Sequence, residues 1–187
     1  RTTTVKIETE NGAKAMGRPQ GVYITLEAPN MSVPDEDYHR EISKELAKHI
    51  KKLVPVEKEL TALGVGLGNR DVTPDALGPD VVSNLHITRH VIQEYGVQSM
   101  GKEYANSISG LVPGVMAQTG METLEIIRGV VDETKPDVVF AVDALAARST
   151  KRLNRTIQIT DTGINPGSGV GNHRNGLSEE TLGVKVI

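Results

Sequence analysis

Thr61–Pro79 reads TALGVGLGNRDVTPDALGP, and its reading decides the fold. The apolar run from Ala62 to Leu67 is laced with glycines, the pattern of a short buried strand whose end needs close backbone approach. Gly68-Asn69-Arg70-Asp71 then supplies turn residues to leave it. A helix is expected to follow. Thr73 can cap its N-terminus, and Pro74 suits the first helical position because it has no N–H to waste. Asp75 falls in the first turn, where the helix dipole favours an anion. Asp75 is therefore expected just beyond the carboxyl end of a strand, which in open α/β sheets is the edge where ligand sites are built.

Downstream, Asp137-Val138-Val139-Phe140-Ala141-Val142-Asp143 places five consecutive apolar residues between two carboxylates. That is the signature of a strand covered on both faces. Between the two strands lie helical spacings: Pro74 to about Glu94, with Leu77, Val81, Leu85, Thr88 and Ile92 on one side, and a segment begun by Thr119–Glu122 and ended near Lys135-Pro136. Ser107–Val115 reads as a short strand running into a Gly/Pro loop. The alternation predicts an α/β fold with a mixed, mainly parallel sheet. Upstream, Thr2–Thr9 and Gly21–Ala28 are β-branched, alternating segments that should pair, with Asn11-Gly12 and Gly17-Arg18-Pro19 as turn material between them. Tyr38, Ile42, Leu46, Ile50 and Leu53 recur at helical spacing through the charged segment Asp35–Leu53, a helix expected to lie half exposed on the sheet. Arg155–Thr160 reads as a further strand, followed by the glycine-rich loop Gly163–Gly171.

Composition bounds the function. The 187 residues fit one α/β domain spanning 1–187. With one Phe and no Trp the core must be aliphatic. A net charge of −3 without any concentrated Lys/Arg stretch argues against nucleic acid as a partner. The absence of Cys excludes disulfides and a thiolate nucleophile. No apolar run approaches the ~20 residues of a membrane helix. The chain opens at Arg1 rather than Met and closes inside the apolar run Val184–Ile187, so the domain is expected to be incomplete at both ends. A shortened terminal strand would leave such a fragment weakly active.

Asp143 repeats the situation of Asp75: it ends a strand and precedes a helix-prone stretch, Ala144–Arg148. Two carboxylates emerging on one sheet edge can share a proton and activate water against an amide. Equally, each can cap a helix N-terminus. Asp161 after the next strand can be a third carboxylate or a turn former. Its Asp161-Thr162-Gly163 triplet matches the signature of pepsin-like proteases, but those are all-β. The loop containing Gly167, Ser168 and Gly169 can cradle an anion or line a substrate, though no clear helix follows it. His86 and His90, four apart on the expected helix, can ligate a metal or pack structurally, and His39 and His49 read as solvated. Arg148, Lys151, Arg152 and Arg155 form a basic cluster that is either salt-bridged or open to acidic substrate segments.

Val65–Asn69 running into Thr73–Pro79, Thr88-Arg89-His90, Pro113–Met116, Lys135-Pro136-Asp137, Asp143–Arg148, Asp161–Ile164 and Pro166–Asn172 together resemble the germination protease family of spore-forming Firmicutes. The resemblance runs in order along essentially the whole chain. It implies an endopeptidase that degrades small acid-soluble spore proteins in the spore core, a cytoplasmic compartment, made as a zymogen and assembled as a homotetramer. It implies an atypical aspartic mechanism without cofactor, with Asp75 and Asp143 as the catalytic pair. Asn69, Asp71, Arg148, Asp161, Gly167, Ser168 and Gly169 are expected to support the site or bind substrate. The implied architecture, helices on both faces of the sheet, is similar to that of hydrogenase maturation endopeptidases. Two further readings stay open: Asp75, Asp143 and a histidine such as His90 holding a divalent metal on the same fold, or a catalytically silent binding or assembly module.

Overall fold

Glycines on one face of the strand at Thr61–Gly66 and branched aliphatics on the other set up the layered structure. The computed structural model describes residues 1–54, 59–101, 103–147, 149–167 and 175–187. Along the chain the elements are β1 (Thr2–Ile7), α1 (Glu10–Met16), β2 (Gly21–Glu27), α2 (Glu36–Leu53), β3 (Thr61–Gly66), α3 (Leu77–Ser83), α4 (Arg89–Tyr95), β4 (Ser107–Leu111), α5 (Met116–Thr119), α6 (Thr123–Thr134), β5 (Val138–Val142), β6 (Thr156–Thr160), α7 (Glu179–Leu182) and β7 (Lys185–Val186). They divide into two compact units: Arg1–Pro55 with Leu145–Thr162, and Val56–Ala144 with Gly163–Ile187. The expected α/β architecture is present, with its strands shared between an antiparallel sheet in the first unit and a parallel sheet in the second. No helix among the described residues is long and apolar enough to cross a membrane.

The second unit holds a four-stranded parallel sheet in the order β4-β3-β5-β7. Side chains alternate across a strand, so Leu63, Val65 and Leu67 project to one face and Ala62, Gly64 and Gly66 to the other. On the first face Leu63, Val65, Leu67, Val139 and Val186 form one buried cluster with Leu124, Ile127 and Val131 of α6, and with Leu177 and Leu182. Complete burial of each such side chain contributes about 1.5–3 kcal/mol, which makes this cluster the main stabilising feature of the unit. On the opposite face the glycines let the backbone of α3 settle onto the strand: a Cβ on Gly66 would overlap the Gly78 carbonyl, and one on Gly64 would lie 2.6 Å from Cδ1 of Leu85. Helices thus cover both faces of the parallel sheet.

The helix expected from Pro74 to Glu94 is not continuous. Thr73–Asp75 is a single 3₁₀ turn without a side-chain cap, α3 ends at Ser83, and α4 begins at Arg89. Thr88 causes the break: its N–H donates to the Ile108 carbonyl, while its Oγ1 accepts from Ile108 N–H at 2.9 Å and donates to the Asn106 carbonyl. The segment is thereby pinned to β4, and a helix passing through it would forfeit those bonds. His86 consequently lies outside α4, the shared helix face expected of His86 and His90 does not form, and both side chains are exposed.

In the first unit β1, β2 and β6 form an antiparallel sheet in that order, around buried Ile7, Ile24, Leu26 and Ile159. The connection between β1 and β2 is a helix rather than a turn. Thr9 caps it by accepting from Gly12 N–H at 3.1 Å, and Gly17 closes it in the left-handed conformation. α2 begins where expected, with Asp35 accepting from Tyr38 N–H. His49, expected to be solvated, is 6% exposed, and its Nε2 lies 3.0 Å from Oε1 of Glu45 one turn earlier.

Candidate active site

At the carboxyl edge of the parallel sheet β3 and β5 run side by side to their ends. Gly66 pairs with Val142, and one residue further the Leu67 N–H donates to the Val142 carbonyl at 2.8 Å. The chain leaves β3 toward β4 on one side and later returns past β3 to β5 on the other. The crossovers therefore diverge between β3 and β5, and open α/β sheets form their ligand crevices where crossovers diverge in this way. The two loops carrying the expected carboxylates both leave from this point. Their starting strands stand one inter-strand step apart, about 4.8 Å.

Gly78 packs directly against the two strand ends. A Cβ there would overlap the Leu67 carbonyl and approach the Val142 carbonyl oxygen to 2.5 Å and Leu67 N to 2.6 Å. Only a glycine lets the first turn of α3 enter the space between the two strand ends. This residue was not singled out in the sequence, although the alternation Gly64-Val65-Gly66 announces a strand face without side chains and therefore a partner backbone that comes close.

Asp75 is half-buried and folds back over its own turn, so that Oδ2 accepts the Asn69 N–H at 2.9 Å. Its own N–H donates to the Val72 carbonyl at 2.8 Å, closing the 3₁₀ turn. Gly68 makes the fold-back possible: its φ is 111°, and a Cβ at this position would overlap the Asp75 carbonyl and lie 3.0 Å from Oδ1. Asn69 also orders the turn through its side chain, whose Oδ1 accepts the Asp71 N–H at 3.0 Å. Asp71 thus enters through its backbone, and its side chain is exposed. Arg70, likewise absent from the expected set, ties the turn to α3, its Nη2 donating to Oγ of Ser83 at 2.7 Å.

Asp143, also half-buried, follows β5 directly. Its Oδ1 accepts the N–H of the adjacent Ala144 at 2.9 Å. A capping aspartate bonds the second or third N–H of its helix instead. In keeping with this, Ala144–Ala147 is not helical, which corrects the expected helix there and removes the capping role. Asp75 is likewise no helix cap, since its carboxylate points back to Asn69. Both carboxylates are therefore directed by loop backbone at one edge of neighbouring strands.

Asp161 lies in the antiparallel unit, where its Oδ1 accepts the Val22 N–H at 2.7 Å and holds the start of β2. Gly167 sits in the left-handed region, φ 72°, on the second unit. Arg148, Ser168 and Gly169, with residues 170 and 171 of the glycine-rich loop, fall outside the described residues. Among the described residues no cluster of three or more His, Asp and Glu side chains has metal-binding geometry.

Residues 1–187 match the family model described as germination protease, peptidase family A25. Germination proteases are 53% identical to the chain over 185 residues in Caldanaerobacter subterraneus subsp. tengcongensis, 49% in Clostridium tetani and 50% in Geobacillus sp.. These alignments cover 99%, 99% and 96% of the chain and 56%, 57% and 48% of the relatives. The chain thus spans about half the length of the curated relatives it matches. With the family model matching from the first residue to the last, the chain belongs to the germination protease family.

Proposed function

We propose that this chain forms the catalytic part of an endopeptidase of spore germination, in which Asp75 and Asp143 activate a water molecule against a peptide carbonyl. The observation that most supports the reading is the divergence of crossovers between β3 and β5, with an aspartate leaving each strand end. One carboxylate, ionised, takes a proton from water as the oxygen attacks the carbonyl carbon. The other, carrying a proton, hydrogen-bonds the carbonyl oxygen and later protonates the leaving amine. The Asn69 N–H bonded to Oδ2 of Asp75 orients that carboxylate, so positioning is prepared before substrate arrives. No cofactor takes part. The substrates are small acid-soluble spore proteins, the setting is the spore core, and the intact protein is made as a zymogen and works as a homotetramer.

The deciding experiment incubates the full-length protein with a small acid-soluble spore protein and follows cleavage by mass spectrometry, with Asp75→Asn, Asp143→Asn and an EDTA-treated sample in parallel. Loss of cleavage in both variants, each still folded, and none with EDTA is expected. Activity abolished by EDTA and restored by a divalent ion would replace the dyad with a metal.

A further inference from the structure

Lys151, Arg152 and Arg155 form a basic cluster that the reading of Asp75 and Asp143 leaves unused. In the antiparallel unit they line a groove of about 530 Å³ together with Arg1 and Glu27. Two backbone bonds assemble it: Glu27 N–H to the Arg1 carbonyl and Ala28 N–H to the Arg155 carbonyl, each 2.8 Å. They set the end of β2 between the start of β1 and the segment leading into β6, so cations from distant parts of the sequence converge. Residues 149–155 are folded onto themselves by Arg152 N–H to Ser149 and Arg155 N–H to Arg152.

The charge there is unbalanced. Glu27 is the one carboxylate of the groove, and it lies 3.9 Å from Nε of Arg1. Neither Lys151, Arg152 nor Arg155 has a carboxylate within ion-pair distance among the described residues. The chain as a whole is net negative. Like charges gathered without counter-ions repel one another, and guanidinium groups are suited to two-pronged bonds with carboxylates. A concave groove of this size also falls within the range of small binding sites.

We propose that this groove binds an acidic segment of the polypeptide substrate, a docking site built from residues other than Asp75 and Asp143. It rests on the proteolytic reading for the identity of its ligand, while its chemistry, carboxylates held by Lys151, Arg152 and Arg155, is independent of cleavage. Phosphates of a nucleic acid are the competing anion. They fit less well because Lys151, Arg152 and Arg155, the cations without a carboxylate partner among the described residues, occupy one short segment instead of tracking a surface.

The test measures fluorescence anisotropy of a labelled glutamate-rich peptide with the chain, beside the glutamine-substituted peptide and an oligonucleotide of equal charge. The glutamate peptide is expected to bind, the glutamine peptide not, and the K151Q/R152Q/R155Q variant to bind about tenfold or more weakly. Because Arg152 is half-buried, the pair K151E/R155E at exposed positions serves as a second variant. It should reverse preference toward a lysine-rich peptide. Equal binding of both peptides, unchanged affinity in the variants, or preference for the oligonucleotide would overturn the proposal. In the full-length protein the same substitutions should raise KM for an acidic protein substrate and leave kcat unchanged. If no substrate is cleaved at all, the proteolytic reading fails while the peptide-binding result stands by itself.

Discussion

The backbone N–H of Asn69 donates to Oδ2 of Asp75 at 2.9 Å, and the residue that makes this possible, Gly68, has φ 111°. An alanine at 68 would be strained in that conformation and would drive its Cβ into the Asp75 carbonyl, a backbone group rather than the end of a flexible side chain. Gly68→Ala should therefore destabilise by about 1–3 kcal/mol, the usual cost of a residue in a sparsely populated backbone region. Cleavage should fall further than stability does, because the Asp75 carboxylate is displaced. A urea titration combined with a rate measurement on the surviving folded fraction checks this, and a variant as active as the parent per folded molecule would contradict it.

Asp75→Asn and Asp143→Asn are nearly isosteric and remove ionisation only. Each should lower the cleavage rate of the full-length protein by about 10²–10⁴-fold, the range for a general acid or base, with an unchanged circular dichroism spectrum. Asp161→Asn should act differently. Its Oδ1 accepts the Val22 N–H, so the main loss is expected in thermal stability, with a smaller effect on rate. A rate collapse confined to Asp161→Asn would move the chemistry away from the β3 and β5 loops.

Thr88 is 4% exposed, and its hydroxyl serves both the Ile108 N–H and the Asn106 carbonyl. Thr88→Val keeps the shape and removes both bonds, leaving polar backbone groups unsatisfied in a part-buried place. A loss of about 1–3 kcal/mol in the free energy of unfolding is expected. Thr88→Ser, which keeps the hydroxyl, should recover most of it.

Glu45 on α2 stands beside His49 and Lys48. Burial opposes ionisation of its carboxyl, and Lys48 and His49 outweigh that opposition, holding it below the usual carboxylate range. A lowered value means the interaction stabilises the folded chain above the ordinary carboxylate range and is lost as pH falls through the depressed value. Glu45→Gln should therefore unfold at lower urea than the parent at neutral pH, and the difference should shrink at acid pH. A gap of equal size at both pH values would show that the ion pairs do not matter there.

Local pattern was enough to reveal β2, β3, β5, β6 and α6, because alternating or continuous apolar runs between turn residues leave few other ways to bury them. The same reasoning found that Asp75 and Asp143 each follow a strand. It missed α1, where Asn11 and Gly12 look like a turn and Thr9 supplies a cap that overrides them. It also joined α3 to α4, since nothing in the helical spacing of Leu85, Thr88 and Ile92 reports that Thr88 is claimed by β4. Tertiary structure alone decided that β6 pairs with β2 in a sheet separate from β3, and that β3 and β5 lie adjacent with β4 on the outer side. Strand order is set by contacts between residues far apart in the chain, so no local period carries it. The close approach of Gly78 to Leu67 and Val142 exists only once those distant strands have paired.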